Sequence, residues 1–467
     1  MTNDKMTKDD FEEFNSTNLA NAIQRAFPFL SQDSQHLQQE LDNFVFPRLD
    51  FMAGNKNVPL FFVFEEHYVE TEWKDMVSIH YINTSYKVEN TVMRIHLFMK
   101  KEMRENCYSG CFTMRTINET NIMLSYIYPN WRRLLYDSIP LNVMTYKKKV
   151  HIKGYEIIFH TYPLFAQDNA VVSCAQACLV SMSKYLHSQY DYNKINIGNI
   201  NNSYHSNKTK VYPSQGLFST QMLEILYSYN IPCGFQIYNG SMDFKEYIDY
   251  CVESAVPVLV GLNVKEEENK EEKNKETKKV GRHVIQIIGH TNVAKEKEYV
   301  VYDDSGYYLR YLNKNGFVDC VSWDVLCKSL EPDKSFIIYP IHEKVYILYD
   351  NFKKHINDMM DKLNIKEILT DKENSRRIML IDNREVKKFL CEHMAEDEEV
   401  NSEIQEEARR LLDIDMPHYL WCCEYSISIG NLLFIANPTY NRRTTKNIFI
   451  NKIPLICKSQ IGLLKYV

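Results

Sequence analysis

Residues 167–190 read QDNAVVSCAQACLVSMSKYLHSQY, and this stretch decides how the chain is read. An irregular segment, QDNAVVS, runs directly into a helical pattern. Ala177, Cys178, Met182, Tyr185 and Leu186 recur with 3.6-residue periodicity and predict one apolar helix face. Cys174 then opens the helix. Unpaired N–H groups and the positive ends of the backbone dipoles gather at such a terminus, and both favour the thiolate, the nucleophilic form of cysteine. Cys178, one turn later, faces the apolar side and is read as packing.

Gln167 lies seven residues before Cys174. In acyl transfer to a thiolate, charge builds on the carbonyl oxygen. A side-chain amide on the loop entering the helix, with the Cys174 N–H, is in range to bind that oxyanion. Around this core, EIIFHTYPL (156–164) predicts a strand. FSTQMLEILYSY (218–229) predicts a helix with Ser219 or Thr220 near its N-cap, and FKEYIDYCVES (244–254) another. VPVLVGLNV (256–264), HVIQIIGH (283–290), EYVVYDD (298–304) and YYLRYL (307–312) predict four successive strands. Helices followed by a run of strands indicate α+β architecture. His283 begins one strand, after a Gly281 that allows close backbone approach. Asp303 ends the next, twenty residues on. Antiparallel pairing would bring them together, so that Asp303 accepts the ring N–H, fixes the tautomer and favours imidazolium. Thiolate and imidazolium would form the resting nucleophile.

In this order, Gln167, Ser173-Cys174-Ala175 with its helix, PSQGLFSTQMLEIL, AVPVLVGLN, HVIQIIGH and YVVYDDSG, residues 151–343 resemble the papain-like double-glycine leader peptidases and their stand-alone relatives. Many bacteria use such peptidases to process bacteriocin precursors. The resemblance implies a papain-like fold, a peptide or protein substrate, no cofactor and no metal. It implies Cys174 as nucleophile, His283 as base, Asp303 as orienter and Gln167 as oxyanion donor. The family usually carries Gly after the cysteine and Asp-Pro at the third triad position; here Ala175 and Asp304 stand there. The same triad logic serves acyl transferases and deamidases, and a catalytically inactive scaffold is a third reading.

The flanks read differently. Residues 1–43 are polar, with one amphipathic helix expected from near Ser31. Residues 44–150 form a mainly β domain, with VPLFFVFEEHYV (58–69), MVSIHYINTSY (76–86), TVMRIHLFMK (91–100) and GCFTMRTI (110–117) as strands. Residues 344–467 form an α+β domain. KEEENKEEKNKETKK (265–279) is a solvated strand connection. Glu65, Glu66, His67, His80 and His96, with Glu72 and Asp75, are read as solvent-facing positions on half-buried strands. The pairs Cys107/Cys111, Cys391/His393 and Cys422/Cys423 lack the second ligand pair that structural zinc needs.

The chain of 467 residues is 45% hydrophobic and 25% charged, enough apolar material for several cores. With 55 basic against 61 acidic residues, its mild acidity gives no reason to expect a nucleic-acid partner. The start lacks the pattern of a signal peptide, and no uncharged run in the central region approaches the roughly 20 residues of a spanning helix. A cytoplasmic protein with reduced cysteines is expected, its flanking domains available to a protein partner.

Overall fold

A computed structural model describes residues 10–27, 34–42, 61–81, 88–115, 122–127, 141–168, 171–203, 216–265, 280–291, 297–314, 317–363, 376–395, 401–427, 430–439, 448–451 and 453–457. It is a mixed α/β chain whose registered strand pairs are antiparallel. Most of the charged 265–279 stretch lies outside the described residues, as does the Ser31 start expected for the first helix. The chain divides into two compact units, residues 1–239 with 259–338, and residues 240–258 with 339–467.

The first unit holds two sheets. One runs β1 (Glu12–Glu13), β2 (Phe61–Tyr68), β3 (Val92–Phe98), β4 (Tyr108–Met114), β5 (Ile122–Ile127), β8 (Tyr155–Phe165), β7 (Tyr146–Ile152). Residue 150 therefore lies within a strand. Ahead of β2 come helices α1 (Ser16–Ala26) and α2 (Ser34–Glu40). α1 is a helix the sequence reading passed over. Its cap is Asn15, whose side chain accepts the Asn18 N–H at 2.8 Å.

The run MVSIHY, read as a strand, is instead the end of helix α3 (Thr71–Ile79). Trp73, Met76 and Val77 fall on one helical face and are buried, a spacing the strand reading overlooked. Solvent-facing roles for Glu65, Glu72 and His96 are also corrected. His96 is fully buried; its Nδ1 meets the Tyr108 hydroxyl and its Nε2 meets Glu65, each at 2.8 Å. Glu65 also pairs with Arg94. All of β3 is buried, so the wet face that the reading assumed does not exist. Glu66 and His67 are exposed, as read.

The second sheet runs β13 (Val318–Ser322), β12 (Glu298–Tyr302), β11 (Val280–Thr291), β10 (Val258–Lys265), β14 (Phe336–Pro340), β9 (Cys233–Ile237). A short strand, β6 (Leu141–Val143), pairs with the far end of β11. The close approach expected at Gly281 occurs instead at Gly289, where an added Cβ would stand 2.1 Å from the Asn142 carbonyl oxygen. At Gly281 it would meet nothing nearer than 3.4 Å.

Against these sheets lies α4 (Cys174–Tyr190), followed by α5 (Ile197–Ser203) and α6 (Ser219–Ser228). The cap of α6 is Phe218, one residue before the expected site, with its N–H donated to Gln221 Oε1 at 2.7 Å. The one-sided apolar face expected of α4 is corrected too: Ala175 to Leu186 are buried on all sides. Its polar residues are partnered. Ser181 Oγ accepts the Phe165 N–H at 2.9 Å, and Ser183 Oγ donates to the Ile195 carbonyl at 3.0 Å. Lys184 is bound to the buried Glu72 at 2.7 Å.

In the second unit, α7 (Asp243–Glu253), read in sequence with the central segment, packs with residues 339–467. Arg377 lies between Glu253 and Glu424 at 2.6 and 2.7 Å, and the Leu380 N–H reaches Ser254 Oγ at 2.9 Å. Tyr250 stacks on Tyr349. A sheet in the order β15 (Arg376–Asp382), β16 (Tyr419–Ile427), β17 (Gly430–Ala436), β18 (Leu455–Cys457) completes this unit, its core formed by residues such as Met379, Phe389, Leu411 and Ile435.

Candidate active site

The first turn of α4 is built by its own sequence. Ser173, with extended backbone, is the cap, and both its N–H and its hydroxyl donate to Gln176 Oε1, at 2.7 and 2.8 Å. Asp168 shapes the loop before it. Its Oδ1 accepts the N–H groups of Val171 and Val172 at 2.9 and 2.8 Å, and its Oδ2 accepts the Tyr81 hydroxyl at 2.8 Å. The reading from sequence missed Asp168, although an aspartate closing a turn onto its own backbone is a recognisable signal. From Val171 to Leu186 every residue is buried except Cys174. A helix sunk in the core thus opens at its tip, at the one sulfur placed there by the sequence argument. Gln167, on the same loop, is half-buried.

Strands β11 and β12 pair antiparallel with Gln286 opposite Tyr302. His283 is three residues before the one and Asp303 directly after the other, so the pairing brings them together. His283 Nε2 lies 2.8 Å from Asp303 Oδ1. The His283 ring is buried, with the Tyr307 ring edge-on to it at 5.9 Å between centroids. Burial alone would push the imidazole down. The Asp303 carboxylate, by its charge and its hydrogen bond, and then the Cys174 side chain outweigh that and hold His283 well above the ordinary histidine value.

Asp303 is fully buried, which would raise it. The His283 charge and hydrogen bond and the N–H groups of Leu309 and Ser305 lower it instead. Leu309 N–H reaches Oδ2 at 3.0 Å, and the N–H and hydroxyl of Ser305 reach Oδ1 at 3.3 Å. These bonds explain a further correction: YYLRYL is a helix, α8 (Tyr307–Tyr311), and not a strand. Gly306, at φ 65°, turns the chain so that the start of α8 points at the carboxylate, where free N–H groups meet a negative charge.

Asp304 is the residue sequence reasoning noticed only as a departure from the family pattern. Its carboxylate is buried, with Oδ1 3.7 Å from His283 Nε2. Neither oxygen makes a hydrogen bond of ordinary length among the described residues. Burial raises it, the His283 charge opposes, and the neighbouring Asp303 raises it again, so that Asp304 is pushed up to about 7.

Among the described residues, His283, Asp303 and Asp304 are the set whose ligand atoms all lie within 4.8 Å of one another. Nε2 and both Asp303 oxygens are already engaged with each other and with backbone N–H groups, so hydrogen bonding accounts for them and no metal is assigned. Cys107, Cys111, Cys422 and Cys423 are buried on strands or beside them. No helix of the described residues is long and apolar enough to cross a membrane.

No protein-family model matches the chain, and no curated protein matches it.

Proposed function

We propose that the chain is a papain-like cysteine peptidase acting through Cys174, His283, Asp303 and Gln167. The observation that carries the reading is the meeting of Cys174, the half-buried residue at a helix tip, with a buried histidine whose far nitrogen is held by a fully bonded carboxylate. Nε2 faces the carboxylates, which leaves Nδ1 to take the thiol proton. Cys174 then attacks the amide carbonyl. The oxyanion meets the Cys174 N–H, one of the helix donors without an intrahelical partner, and the Gln167 amide. The imidazolium returns its proton to the departing amine. Water, losing a proton to His283, then attacks the acyl-enzyme thioester and releases the acid and the thiol. An extended peptide or protein segment is the substrate class.

A mixed peptide library incubated with the protein and with Cys174→Ala tests this by mass spectrometry. New termini that depend on Cys174 are expected. A mass gain of about one dalton without scission would replace hydrolysis of the chain by deamidation. Absence of any Cys174-dependent product, together with alkylation of Cys174 no faster than of the half-buried Cys327 and Cys391, would leave a silent scaffold.

A further inference from the structure

We infer that Asp304 is a positioning residue of this site, a second carboxylate at His283 Nε2 that strengthens the imidazolium when ionised and withdraws that support when protonated. The inference rests on the peptidase reading and deepens it by adding a proton-controlled setting.

The geometry separates two adjacent carboxylates that share one partner. Asp303 Oδ1 is 2.8 Å from Nε2, and its two oxygens also receive the Ser305 and Leu309 donors. Its charge is therefore compensated by the fold. Asp304 Oδ1 is 3.7 Å from the same nitrogen, in a space that gives its carboxylate no ordinary hydrogen bond among the described residues. Two like charges this close to one cation do not ionise with equal ease, and the less solvated one keeps its proton longer. Asp304 is that one. Its neutral-range titration follows from burial first and from Asp303 second, against the opposing pull of His283 and of the nearby Asp304 and Ser305 N–H groups.

The titratable groups around Asp304 come from each packed element. His283 belongs to β11, Tyr302 to β12 and Asp303 to the turn after it, and Cys178 projects from α4; Cys174 acts on His283 and on Cys178. The thiols and the Tyr302 phenol are neutral or negative, so His283 is the cationic partner in this group. An ionised Asp304 favours the proton on the imidazole over the proton on the Cys174 sulfur, because it lies beside the ring. Removing that charge shifts the thiolate–imidazolium pair back toward thiol and imidazole.

The test is the rate of iodoacetamide alkylation of Cys174, read by mass spectrometry from pH 5 to pH 8.5 in the full chain and in Asp304→Asn, with Cys327 and Cys391 as internal references. At pH 5 Asp304 is protonated, and the two proteins should react alike. At pH 8.5 the wild-type rate should be about tenfold higher, one pKa unit of support for the imidazolium, with the ratio rising through pH 7. A purely structural role would give a ratio that does not change with pH, and that result overturns the inference. Should Asp304→Asn not fold, imidazole ¹⁵N spectra of the wild-type protein decide. A His283 signal that steps near pH 7 supports Asp304, and one without such a step removes it. If Cys174 reacts no faster than Cys327 in the wild type, the peptidase reading fails. If it reacts fast but with a flat ratio, only the role of Asp304 fails.

Discussion

Asp304→Asn should change the stability of the first unit by an amount whose sign depends on pH, a gain in base and a loss in acid. The carboxyl is displaced from the ordinary aspartate value of 3.8 to about 7 by a site that hides it from water. Because the folded-state value lies above the unfolded one, folding favours the protonated form. The associated stability is whole below about pH 4 and is lost as pH rises through 7. At ~1.4 kcal/mol per pH unit, the loss approaches about 4 kcal/mol at pH 8. This figure already includes the attraction of His283. Asparagine carries no such ionisation cost, yet it brings an amide that the site does not pair, which returns about 1–3 kcal/mol. The expected net gain is therefore on the order of 1–3 kcal/mol at pH 8, turning into a net loss of similar size at pH 4. Urea unfolding of both proteins at pH 4, 5.5, 7 and 8.5, followed by a probe confined to the first unit such as amide hydrogen exchange in β11 and β12, measures it. Curves separated by the same amount at every pH would refute the reasoning, because they would mean that Asp304 is not forced to ionise in the fold. A variant less stable at pH 8 than at pH 4, relative to wild type, would refute it more directly by reversing the sign.

Asp303→Asn should lower the selective alkylation of Cys174 by about two orders of magnitude while circular dichroism stays unchanged, since it removes the charge that holds His283 up. Gln167→Ala should cost about 10²–10³ in turnover of a cleaved peptide yet leave the iodoacetamide rate of Cys174 intact, because alkylation builds no oxyanion. Equal losses in both assays would remove the donor role of Gln167. Glu72→Gln leaves the buried Lys184 ammonium without its anion and should destabilise the first unit by about 3–5 kcal/mol in urea, whereas Glu72→Met with Lys184→Met should recover much of it.

The parts of the site that could be read from sequence are those fixed over short stretches of chain. A polar loop meeting a helical pattern at Cys174 specifies a helix tip, because caps and periodicity are local. His283 and Asp303 could be placed together because two strands joined by one connection pair antiparallel, and the register follows from where each ends. What could not be read depends on neighbours that the local pattern does not identify. YYLRYL has the composition of a strand; it is a helix because Asp303 receives the Leu309 N–H of its first turn and Gly306 makes the turn. Glu65 and His96 sit where alternation predicts water, and become a buried network because every residue of β3 is covered. Glu72 and Lys184 are an unremarkable glutamate and lysine until α3 and α4 place them in one core.

Asp304 shows the same limit at the site itself. In sequence it differs from a family pattern by replacing a proline, which suggests a weakened constellation. In the fold its carboxylate stands beside the nitrogen that Asp303 already holds. Proline has no ionisable group, so at that position the charge on the imidazole would be governed by one carboxylate and by the thiolate alone. With Asp304 present, a second negative charge appears beside the imidazole as pH rises past 7. On the proposed reading, Asp304 thus changes the condition under which Cys174 is armed without removing any group the chemistry needs. A peptidase built this way would be selectively quiet in acid, and its pH profile would carry a step that Asp304→Asn erases.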